Sequence, residues 1–164
     1  MKKLALLAIF GLLTLGSSAQ KFGHIDSQEL LSLMPEITTV ETSLQAYMQV
    51  LQGQLISMEN EYKSALEDYE NNESSYDDLT KQDKELAIKQ LIQRIQTFEQ
   101  GAQPLVQEKQ QELMRPIIEK VQNAINAVAE KGKYTYILDS SSSVILYKKD
   151  SEDILEKVKL ELKI

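Results

Sequence analysis

An apolar stripe at helical spacing runs out along this chain, stops at a polar patch and runs back, and no other feature limits the fold as strongly. Ile37, Val40, Leu44, Tyr47 and Leu51 are three and four residues apart, the spacing of a coiled-coil seam. The seam continues through Leu55, Met58, Tyr62, Leu66 and Tyr69. The four-residue step from Leu51 to Leu55 adds one residue, a stutter that locally unwinds a left-handed supercoil. The polar stretch 70–75 then offers poor helix formers and no apolar residue, so it marks the reversal. A second helix is predicted from about Asp77 to Glu130. Its seam is Leu91, Ile95, Phe98, Ala102 and Leu105, then Leu113, Ile117, Val121, Ala124 and Val128, with Lys109 interrupting it. A helix of about 36 residues is roughly 55 Å long, whereas a compact domain of this length has a radius of gyration of about 15 Å. The expected fold is therefore α+β, predominantly α. A long antiparallel helical (coiled-coil) hairpin, 35–131 with its tip near 70–77, projects from a small β-strand body formed by 20–34 and 132–164.

That body is read from the two chain ends. KFGHID, from Lys21 to Asp26, reads as a strand, with Gly23 as a point of close packing. Asp26 and Ser27 offer N-cap oxygens and Glu29 stands where a capping-box partner would, which predicts a short helix from Ser27 to about Met34. Pro35 either interrupts that helix or opens the next. Gly132 is read as the stop of the long second helix. Tyr134 to Leu138 and Val144 to Tyr147 are rich in aromatic and β-branched residues around Asp139 and four serines, so they read as a strand hairpin. Asp150 or Ser151 is expected to cap a final helix carrying Ile154, Leu155, Val158 and Leu162, with Glu152 and Asp153 in its first turn. Such a body buries little core alone, so pairing with identical copies is expected.

The first nineteen residues form a segment of their own. Lys2 and Lys3 precede an apolar or small run to Gly16, followed by Ser17-Ser18-Ala19, the pattern of a secretory signal peptide cut after Ala19. The run is shorter than the roughly 20 residues needed to cross a bilayer. Removing it leaves 145 residues with 16 basic and 25 acidic side chains. That balance supplies no electrostatic basis for binding nucleic acid or an anionic membrane. The chain has no cysteine and hence no disulfide framework, nucleophilic thiol or thiolate metal site.

Catalytic chemistry finds no support. His24 is the only histidine and lies in a strand, where a structural role is expected. Ser140–Ser143 read as a loop, and no glycine-rich phosphate cradle points to ATP. The acidic run Glu67, Asp68, Glu70, Glu73, Asp77 and Asp78 lacks the alternate spacing and central glycine of a calcium loop. No enzyme activity, cofactor or metal is expected.

FGHIDSQELLSLMPE near the start, MRPIIEKVQNAINAVAEKGKYTYILDSSSSVILY near the end and the closing DSEDILEKVKLEL together resemble the Skp/OmpH family of periplasmic chaperones. The resemblance covers the whole chain after Ala19, and the ends carry it more than the hairpin. It implies a homotrimer whose strands assemble a body and whose helical hairpins extend as arms around a cavity. It also implies ATP-independent holding of unfolded outer-membrane β-barrel proteins in the periplasm. The best-known relatives are strongly basic, whereas 35–131 carries 17 acidic and 9 basic residues here. That difference argues against lipid binding by the arm tips.

The arm itself suggests how a client could be held. Between Glu41 and Glu59 there is no charged residue, and the stretch offers Leu44, Met48, Val50, Leu51, Leu55, Ile56 and Met58 among glutamines and serines. Met48, Val50 and Ile56 fall off the seam spacing, so this set is wider than hairpin pairing needs. Methionine suits surfaces that accept many partners. These seven residues are the expected client-binding set; the competing reading has the excess face neighbouring arms or a broad hairpin core. Gly53 and Gly101 lie at similar distances from the reversal, with Pro104 one turn beyond Gly101, and form an expected hinge. A trimeric coiled-coil adaptor of an envelope or secretion complex is the competing function. It should carry a partly charged docking patch rather than a permissive lining.

Overall fold

The computed structural model describes residues 20–142, 145–148 and 151–164, so the expected signal peptide lies outside the described residues. The order of elements is β1 (Phe22–Ile25), α1 (Ser27–Ser32), α2 (Glu36–Asn72), a 3₁₀ turn (Glu73–Ser75), α3 (Asp78–Gly132), β2 (Tyr136–Asp139), β3 (Glu152–Asp153) and α4 (Leu155–Leu162). The fold is α+β and predominantly helical, a long antiparallel helical hairpin with a small three-stranded sheet. By internal packing the described residues form two units, one of 20–33 with 120–164 and one of 34–119.

In the first unit the sheet order is β2-β1-β3, and both outer strands run parallel to β1. Phe22 pairs with Tyr136 and Ile25 with Asp139, while Gly23 and His24 pair with Glu152 and Asp153. Among the described residues the expected hairpin of 134–138 with 144–147 does not form. Ile145 to Lys148 belong to no strand, and Val144 lies outside the described residues. A parallel pair needs a long crossover, and the two long helices between β1 and β2 supply it. The third strand comes instead from Glu152 and Asp153, which were expected in a helical first turn. The Ile154 N–H continues the ladder onto the His24 carbonyl at 3.0 Å, and α4 starts only at Leu155. Asp139, expected in a loop, ends β2. Partial burial opposes its ionisation, but hydrogen bonds from the Ser27 hydroxyl (2.5 Å), the Ser141 N–H (2.9 Å) and the Ser27 N–H (3.2 Å) hold its carboxyl at about 2. The core of this unit is Ile25, Leu30, Ile154 and Val158, with Val121, Ala124 and Val128 of α3 also buried.

Helix ends follow local chemistry. Asp26 caps α1 by accepting from the Glu29 N–H at 2.9 Å, and Asp77 caps α3 by accepting from the Thr80 N–H at 2.7 Å. At the end of α3 the left-handed residue is Lys133 (φ 52°), not Gly132. The Tyr134 N–H returns to the Ala129 carbonyl and that of Lys133 to Glu130, a Schellman closure. Gly132 has a different reason to be glycine. A Cβ there would lie 2.2 Å from Cε2 of Tyr134, whose ring folds over it. The same ring approaches Gly23, lies under the Lys21 ammonium at 3.9 Å and donates its hydroxyl to Glu152 at 2.6 Å. Hydrogen bonds from Lys157, Tyr134 and Lys21 hold the Glu152 carboxyl at about 2.

Candidate functional site: an apolar slot between the hairpin helices

The second unit holds the residues expected to touch a client. Its register is set near the reversal, where Lys84 bonds Asp68 at 2.6 Å and the Tyr69 hydroxyl donates to Glu85 at 2.6 Å. That hydrogen bond to a carboxylate pushes the Tyr69 phenol up to about 12, and the Lys84 ammonium lowers Asp68. Lys81 also approaches Glu73, at 3.9 Å. The tip is acidic in sequence, but two lysines of α3 fold onto it and offset part of that charge. Farther along, Arg94 pairs with Glu61, and Leu51 and Leu55 face Phe98 and Ala102. Extending this register places Gly53 beside Gly101.

The inward positions of α3 are Leu91, Ile95, Phe98, Ala102, Val106, Lys109 and Leu113. The expected seam residue Leu105 is exposed, and its neighbour Val106 takes the inward place. The step from Ala102 therefore covers four residues rather than three. α3 thus takes two four-residue steps in succession, Phe98–Ala102–Val106, and α2 does the same at Tyr47–Leu51–Leu55. These doubled steps lie side by side. A stripe advancing four residues twice drifts around the helix and loses the regular knobs-into-holes fit. Ala102, the smallest inward side chain here, cannot fill the space that opens.

The result is a slot of about 370 Å³. Met48, Leu51, Leu55, Phe98, Ala102 and Val106 supply its apolar wall, and Gln52, Glu99 and Gln103 stand at its rim. A second recess of about 470 Å³ opens around Met58, Arg94 and Thr97 and shares Phe98 with the first.

The seven expected client-binding residues divide into three groups. Leu51 is buried and Leu44, Leu55 and Met58 are half-buried along the hairpin contact. Met48 (52% exposed) and Ile56 (48%) lie eight residues apart with Gln52 between them, one row along the slot side. Val50 is 55% exposed but two residues from Met48, about 200° around the helix, and so opens to another side. Both helices continue unbroken through Gly53, Gly101 and Pro104.

The α3 half of the site was missed in the sequence. Ile95 to Gln107 carries one charged residue, Glu99, and faces the uncharged stretch of α2. A scan for weakly charged windows would have found it; that it faces 42–58 depends on the register.

His24 is buried in β1, with Nδ1 3.0 Å from the Ser151 hydroxyl and Nε2 3.7 Å from an Asp153 carboxylate oxygen. The residue types are those of a hydrolytic triad, but the Asp153 separation exceeds a hydrogen bond and cannot orient the ring. The Ser151 bond instead ties the segment before β3 to the central strand.

A family described as outer membrane protein (OmpH-like) matches residues 21–162. The chain belongs to this OmpH-like family. Among its relatives, the chaperone protein Skp of Yersinia enterocolitica is 24% identical over 169 residues, covering 99% of this chain and all of the relative. The chaperone protein Skp of Vibrio cholerae serotype O1 is 24% identical over 166 residues, covering 96% and 97%. The OmpH-like fold is also that of a Caulobacter crescentus protein solved as an OmpH-like outer membrane chaperone. It superimposes with a TM-score of 0.68 at 14% identity, over 91% of this chain and 88% of that one.

Proposed function

We propose that this protein is an exported, ATP-independent holdase that keeps unfolded outer-membrane β-barrel proteins from aggregating in the periplasm. The observation that carries the reading is the weakly charged band of the hairpin, where exposed apolar side chains flank an unfilled apolar slot. A surface of this kind accepts many sequences weakly, and weak contacts at several points let a client leave without nucleotide. The names of the Skp relatives support the same role.

The working form is a homotrimer, with residues 1–19 removed as a signal peptide, a body of 20–34 and 132–164, and arms of 35–131. Self-association is supported by apolar side chains left exposed in the first unit. The exposed Tyr136 stacks on the half-buried Phe22 of the neighbouring strand with ring centroids 6.0 Å apart, and Leu138, Leu146 and Tyr147 are also exposed. Capture is governed by apolar contact rather than attraction, because the arms are net acidic, and lipid headgroups are not a partner of the tips.

The test is dilution of an unfolded β-barrel membrane protein with this protein, following light scattering without nucleotide. Suppression is expected at stoichiometric trimer. It should be lost in Met48→Glu/Ile56→Glu, whose side chains are exposed, while the oligomer stays intact. Equal suppression by that variant would remove the weakly charged band as the holding surface. No suppression by the unmodified protein would favour the adaptor.

A further inference from the structure

The slot has a size, a length and a charge that together define what fits it. A cavity of about 150 Å³ lined by apolar side chains already takes a benzene ring; this slot of about 370 Å³ is more than twice that. From Met48 to Leu55 it runs along two turns of α2, about 10 Å. Alternate side chains of an extended chain project to one side about 6.8 Å apart. One extended segment can therefore seat two apolar side chains, i and i+2, in this slot, and an adjacent pair on opposite sides cannot both enter. Two rings match the volume better than two short aliphatic groups. Glu99 stands at the rim, and among the described residues its carboxylate has no ion-pair partner. It is also the only charged residue lining the slot.

We propose that the slot is a subsite for an extended, unfolded segment bearing aromatic side chains at i and i+2 with a lysine or arginine beside them. The inference rests on the holdase reading and gives it a selectivity that apolar holding alone lacks. Strands of membrane barrels alternate apolar and polar residues and carry aromatic girdles at their ends, so such segments recur in that class of client. The cation at Glu99 aligns the segment along the hairpin, and Gln52 and Gln103 satisfy its backbone. Matched doubled steps on both helices keep the slot open; a regular seam would have closed it.

The experiment uses the whole chain after Ala19 and three labelled peptides of one length. One peptide has Trp at i and i+2 followed by Lys, the second has the Trp residues adjacent, and the third replaces Lys with Glu. Fluorescence anisotropy should show the first binding at least about tenfold more tightly than the others, the factor for about 1.4 kcal/mol. Glu99→Gln should erase the preference for Lys over Glu and keep the preference for the i, i+2 spacing. Ala102→Phe should fill the slot and erase the spacing preference, while Leu79→Glu, exposed near the start of α3 and away from the slot, should change neither. Equal binding of all three peptides by the unmodified protein overturns the subsite. If that protein still suppresses aggregation, the holdase reading stands without it. If suppression is absent as well, that reading has failed first.

Discussion

Two glycines at one height on the hairpin make a quantitative claim that thermal unfolding can check. Gly53 and Gly101 lie inside α2 and α3, neither has positive φ, and beyond its chain neighbours and its own helix backbone a Cβ at either would meet no atom within 4 Å. Gly53→Ala and Gly101→Ala therefore gain helix propensity without a clash, about 0.5–1 kcal/mol each. If the two add, the double variant gains about 1–2 kcal/mol, although neighbouring sites can deviate from additivity. For a chain of this size that is a rise in Tm of about 2–8 °C, read from the helical circular-dichroism signal. Two helix-weakening residues side by side would ease bending, and we propose a hinge at Gly53, Gly101 and Pro104. A spin label at Ser74, in the exposed turn, should report a narrower spread of separations between arms in the double variant. Loss of stability from either substitution would show that the space beside the glycine is occupied. A higher Tm with an unchanged distance spread would refute the hinge.

The same change at another glycine should have the opposite sign. Gly132→Ala drives a methyl into the Tyr134 ring; overpacking of this kind costs about 1–3 kcal/mol against at most about 1 kcal/mol of helix propensity. Chemical denaturation should show a lower midpoint, and an unchanged one would mean that the ring moves freely. Acid sensitivity follows from Asp139 and Glu152, both held at about 2 against ordinary values of 3.8 and 4.5. Because the folded values are the lower ones, their contribution is complete above about pH 4.5 and is lost as the pH falls toward 2. Tm measured from pH 5 to pH 2 should fall, and Glu152→Gln should flatten that fall; a parallel curve for the variant would count against the Glu152–Lys157–Lys21 cluster.

The long helices were legible because their information is local and repeated. An apolar residue every third or fourth position over about ten turns has one interpretation, and Asp26 and Asp77 announce helix starts through atoms two or three residues away. The uncharged stretch of α2 was visible for the same reason. Partners distant in sequence were not. Whether 134–138 pairs with 144–147 or with β1 depends on which edge lies free after the long helices have crossed, and β-branched composition is the same in either case. Gly132 looked like a helix stop, and only the placement of the Tyr134 ring shows why glycine is required. The slot needed both levels. Each doubled four-residue step can be found in its own helix, as the Leu51–Leu55 stutter was. That the two steps coincide, with Ala102 between them and Glu99 at the rim, is set by the antiparallel register. Tip contacts such as Asp68 with Lys84 lock that register, and a shift of one turn would have placed a different side chain in the gap.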